Sequence, residues 1–182
     1  MTFLFPEGLA PEVYPLAWLV GRWEGTGVIE YPGIDRAVVR ARVAFDHDGG
    51  PYLTYEAVLS LIGPDGEEGQ IWSRETGYWR VPPSAPEGLE LAEGQHPVEL
   101  FLTDAAGTVA LYLGAVGNGR IDLGTDLMAR SASAPEVGGA TRLYGNVGGE
   151  LLWAWDIAAF GNPLQSYASG RLERVLADVG EE

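Results

Sequence analysis

The chain reads as all-β, a single roughly ten-stranded antiparallel up-and-down barrel of the calycin type with one short N-terminal helix. Three observations predict this. Apolar residues recur at every second position through most of the chain, the pattern of half-buried strands. Compact Gly, Asn and Asp turns separate the runs. The 182 residues, 46% of them apolar and 10% aromatic, suffice for one core without disulfides. Residues 1–182 are therefore expected to form one domain.

Taken in order, the first element is a helical piece from Val13 to Val20, following Pro11 and interrupted by Pro15. From Val38 to Phe45, Val39, Ala41, Val43 and Phe45 share one face, with Arg40 and Arg42 on the other. From Tyr52 to Leu61, Leu53, Tyr55, Ala57, Leu59 and Leu61 oppose Thr54, Glu56 and Ser60. Val109, Leu111 and Leu113 alternate likewise, as do Leu151, Trp153, Trp155 and Ile157. The turns fall at Asp48-Gly49-Gly50-Pro51, Gly63-Pro64-Asp65-Gly66, Gly117-Asn118-Gly119 and Gly148-Gly149, where residues that tolerate positive φ are wanted. Pro82 to Gly88, with three prolines, is a loop. A meander of so many strands closes readily into a barrel, because closure removes its edges; a sandwich is the alternative.

Charge narrows the partners. The 11 basic residues, all Arg, face 26 Asp and Glu for a net charge of −15, which repels nucleic acid and anionic bilayers alike. No apolar run approaches the roughly 20 residues of a membrane span. Met1 to Glu7 carries no leader-like pattern, and cysteine is absent, so a cytoplasmic location is expected.

Conventional catalytic motifs are missing. His47 and His96 stand beside turns at strand ends, where a structural or exposed role is expected, and no zinc-type spacing occurs. Glu67 and Glu68 are expected to be solvated. Gly21-x-Trp23-x-Gly25-x-Gly27 runs into a strand, so it does not cradle phosphate as a glycine loop before a helix would. Its physical reading is structural: Trp23 plugs one barrel end, and the glycines admit close backbone approach.

Three ordered segments carry a family resemblance. Pro15 to Gly27, with Glu30-Tyr31-Pro32 after it, resembles the GxWxGxG signature of the nitrobindins, haem-binding barrels shaped like fatty-acid-binding proteins. Glu75-Thr76-Gly77-Tyr78-Trp79-Arg80 is similar to that family's ESGYxR strand, and Gly161-Asn162-Pro163-Leu164-Gln165 to its NPLQ turn. The resemblance implies a proximal haem histidine shortly after that turn, where this chain has Tyr167, and a second pocket histidine where it has Ser73. These two positions are the candidate ligand-binding residues. No catalytic residue and no metal ligand are assigned, Tyr167 excepted if haem is bound.

Three functions compete. A barrel without the axial histidine would bind a small apolar ligand, with no cofactor expected. An active form would hold haem b through a Tyr167 phenolate, with Arg171, on the same face by strict alternation, lowering its pKa; the family's nitric oxide binding and peroxynitrite isomerisation would follow. A scaffold barrel is the third. The paired Trp153 and Trp155 bear on this: an inward face narrows the cavity, whereas an outward face favours a homodimer.

Overall fold

The computed structural model describes residues 5–176; Met1 to Leu4, part of the leader reading, lie outside it. Pro11–Leu19 forms a 3₁₀ segment. Pro15 lacks the N–H that a continuing α-helix would need, which suits the tighter, shorter form. Ten strands follow: β1 (Gly21–Tyr31), β2 (Ile34–Asp46), β3 (Leu53–Ile62), β4 (Glu68–Arg80), β5 (His96–Asp104), β6 (Thr108–Gly117), β7 (Arg120–Arg130), β8 (Val137–Val147), β9 (Glu150–Ala159) and β10 (Gln165–Arg174). Each pairs antiparallel with its sequence neighbour, and β1 pairs with β10, so the sheet is a closed barrel. The alternation expected in β2, β3 and β9 is observed, with Val39, Ala41, Phe45, Leu53, Tyr55, Leu151 and Ile157 buried, except at the end of β3, where a register shift after Leu59 buries Ser60 instead of Leu61.

In β6 the alternating apolar set points the other way. Ala110, Tyr112 and Val116 are buried, while Val109 is 56% exposed. Both parities of that strand are apolar, so its periodicity does not select a face.

One end of the barrel is plugged. Trp23, 1% exposed, donates its indole N–H to the Leu19 carbonyl at 2.7 Å. The Arg174 guanidinium lies 4.2 Å from the Trp23 ring centroid and donates to the carbonyls of Trp18 and Val20. A Cβ on Gly25 would stand 2.1 Å from the Arg171 carbonyl oxygen, so the backbones meet there as only glycine permits. Gly27 is equally confined, since a Cβ there would stand 2.5 Å from the Ser169 carbonyl oxygen. With Gly170 across the β1–β10 ladder it leaves room for the Trp153 indole, which a Cβ at either glycine would press to 3.1 Å and 2.8 Å.

The opposite end is looser. β7 and β8 pair only from Arg120 to Gly124 and then part. Several register shifts sit toward this end, and two of them shape the site. Opposite β3, Leu59 pairs with Ser73 but Ser60 with Ile71, leaving Trp72 as the extra residue of β4. Opposite β9, Ser166 pairs with Asp156 but Ala168 with Trp155, leaving Tyr167 extra in β10.

Candidate functional site

A cavity of about 510 Å³ enters the barrel from the bulged end. Its wall is mostly apolar, including Leu102, Met128, Val137 and Ile157, and it holds both candidate positions, Tyr167 and Ser73. They come together although 94 positions apart in number, because β4 and β10 face each other across the barrel.

Tyr167 reaches the interior through its bulge, which is how such irregularities re-aim a side chain. Without the bulge it would share a face with Gln165, Ser169 and Arg171, as strict alternation predicts. In the barrel both Tyr167 and Ala168 are buried, and the parity beyond them is reversed. Arg171 consequently lies outside, 60% exposed, paired with Glu150 at 3.1 Å. The expectation that Arg171 lowers the Tyr167 pKa is thus corrected.

The Tyr167 hydroxyl accepts a 2.5 Å hydrogen bond from the Trp72 indole N–H. The residues displaced by the two bulges therefore meet over the cavity, although three strands separate β4 from β10 around the sheet. Trp155 packs edge-to-face on Tyr167 at 4.9 Å. Burial holds the Tyr167 pKa above the usual tyrosine value; the Trp72 bond lowers it in part, and the Glu75 charge raises it. Tyr167 is a neutral phenol at physiological pH. Its own proton meets no acceptor among the described residues.

Deeper in, Glu75 and Arg142 form a buried ion pair, with the two terminal nitrogens of Arg142 donating to the two Glu75 oxygens at 2.6 Å and 2.8 Å. Tyr55 donates to Glu75 at 2.8 Å, and burial first, then the Glu75 charge, pushes its pKa well above the ordinary value. The guanidinium lies 4.3 Å from the Trp155 ring centroid and 5.2 Å from that of Tyr112. The pair compensates itself, as buried charges must. Two further buried donors, Arg142 Nε and Trp155 Nε1, find no acceptor among the described residues.

The paired tryptophans face inward: Trp155 lines the cavity, and Trp153 packs against the core over Gly27 and Gly170. His96 is exposed and, with His47, belongs to neither wall. No cluster of metal-ligating side chains occurs among the described residues. Glu68 is not merely solvated, since Arg42 binds it bidentately at 2.5 Å and 2.6 Å. Sequence reasoning missed Trp72 and Arg142. Arg142 had a signal, an arginine on the parity of Ala140 and Tyr144, both buried; Trp72 had none, because its placement depends on a bulge.

Comparison with known proteins agrees with this geometry. Residues 12–174 match the model of the THAP4-like, heme-binding beta-barrel domain. A "Ferric nitrobindin-like protein" of Beutenbergia cavernae is 43% identical, covering 96% of this chain and 100% of its own. A "Peroxynitrite isomerase" of Clavibacter michiganensis subsp. michiganensis is also 43% identical, over 93% of this chain and 98% of its own. The crystal structure of Rv2717c from M. tuberculosis superposes with a TM-score of 0.76 at 30% identity, covering 92% of this chain and 99% of that one. A closed ten-stranded barrel, an apolar cavity entered from one end and these matches along nearly the whole chain place it in one group: it belongs to the nitrobindin family of haem-binding β-barrels.

Proposed function

We propose that this barrel binds a small apolar ligand in its cavity and is not a high-affinity ferric haem protein. The observation that carries the reading is the state of Tyr167. The family implies haem, and the apolar walls suit a porphyrin face. The axial position does not suit ferric iron. A phenol ligates ferric iron as phenolate, and burial together with Glu75 opposes that form. No cation offsets this, because Arg171 is outside and Arg142 is committed to Glu75. Ser73, at the second pocket position, is a weak ligand with no charge to offer.

A second reading keeps ferric haem and peroxynitrite chemistry, and the name of the Clavibacter relative favours it. One experiment separates the two: absorption titration of the apo-protein with ferric haem, beside Tyr167→His. The proposal expects no specific Soret shift in the wild type and a clear one in the variant. Tight wild-type binding with a phenolate-type spectrum would overturn it.

A further inference from the structure

The Tyr167 hydroxyl proton, on a residue that lines the cavity, has no acceptor among the described residues. A donor left unmatched in an apolar site costs free energy that a matching acceptor recovers. The buried interior of the wall offers no unmatched positive charge, however. Arg142 is neutralised by Glu75. Arg74 also belongs to the lining and has no ion pair among the described residues, but it is exposed at the rim, where water screens its charge; Asp104 beside the entrance accepts the backbone N–H groups of Ala106 and Thr108. An anion carried past the rim to the level of Tyr167 would lose its water and gain no compensating ion pair there. The Glu75 field that opposes a phenolate at Tyr167 opposes a ligand carboxylate at the same place.

We infer that the cavity selects an uncharged, largely apolar ligand bearing a hydrogen-bond acceptor, such as a ketone or ester carbonyl, which the Tyr167 hydroxyl binds, and that it rejects carboxylates of the same shape. This rests on the ligand-binding reading above. It assigns Tyr167 as a specificity residue that uses its proton, the one feature a phenylalanine lacks and a phenolate would give up. Trp72 shares in this: by donating to the hydroxyl oxygen it aligns the phenol and leaves the proton for the ligand.

The test uses three matched probes, 2-acetylnaphthalene, 2-ethylnaphthalene and 2-naphthoate, titrated into the full chain while tryptophan fluorescence is followed. Trp72 and Trp155 line the cavity and report occupancy. The expected order is ketone tighter than hydrocarbon by about tenfold, the worth of one net hydrogen bond, with naphthoate weaker than the ketone by about tenfold or more. Tyr167→Phe is expected to remove the ketone's advantage and leave ethylnaphthalene unchanged, which also shows that the variant is folded. Naphthoate binding as tightly as the ketone, or a ketone preference that survives Tyr167→Phe, would overturn the inference while leaving the cavity function standing. Failure of all three probes to bind overturns both.

Discussion

The two ends of the barrel differ in how they use aromatic residues. At the closed end Trp23 is sealed among the 3₁₀ segment, β1 and Arg174, with its N–H bound and its ring covered. At the open end Trp72 is 37% exposed, and its N–H is given to a hydroxyl that faces the cavity. The glycines of Gly21-x-Trp23-x-Gly25-x-Gly27 serve the first end by letting backbone and indole approach closely. The bulges at Trp72 and Tyr167 serve the second by turning two side chains toward the interior. Stability is concentrated where close packing is achieved, and ligand access where the ladder is interrupted.

The sharpest test of this contrast is truncation at each end. Trp23→Ala should cost about 3–5 kcal/mol in urea unfolding, and Trp72→Ala about 1 kcal/mol or less, since it is partly solvated and gives up one hydrogen bond. Equal costs would erase the distinction. Between the ends, Glu75→Leu strands a buried guanidinium and should cost about 3–5 kcal/mol. Adding Arg142→Met should restore most of it, because the pair is then replaced by apolar groups; a double variant no better than the single one would show that the pair does more than compensate itself.

At the open end, ultraviolet titration of tyrosine distinguishes the buried phenols. Tyr55, Tyr144 and Tyr167 should ionise late, above the ordinary tyrosine range. Tyr167→Phe should remove amplitude from the late phase alone. Loss from an early phase would mean that Tyr167 ionises readily and would revive it as a metal ligand.

The smallest effect lies outside the barrel. Arg42, by hydrogen bonding first, holds the Glu68 pKa at about 2, well below its ordinary 4.5. A folded-state pKa below the unfolded one stabilises above the unfolded value, and that contribution fades as pH falls from about 4.5 toward about 2. The melting-temperature difference between wild type and Glu68→Gln should therefore be small at pH 7 and shrink across that window; this exposed pair is screened by salt.

Much of the fold could be read from local pattern. Alternation located β2, β3 and β9, and Gly and Asn turns marked their boundaries. Gly21-x-Trp23-x-Gly25-x-Gly27 carried its structural meaning in residue type alone, since a tryptophan amid glycines is bulk beside space. The site was less accessible. Tyr167 and Ser73 were identified as positions, but the parity rule that placed Arg171 beside Tyr167 failed at one inserted residue. In β6, with both faces apolar, parity was uninformative from the start.

The division has a physical cause. Strand propensity, alternation and turn chemistry act between residues a few positions apart, so the chain alone determined an all-β meander, its acidity and the absence of thiol chemistry. Closure, bulges and the meeting of Trp72 with Tyr167 depend on strands that are distant in sequence and reach their register only when the whole sheet is assembled. Only the tertiary structure decided that Tyr167 faces inward and that Glu75 and Arg142 cancel inside the wall.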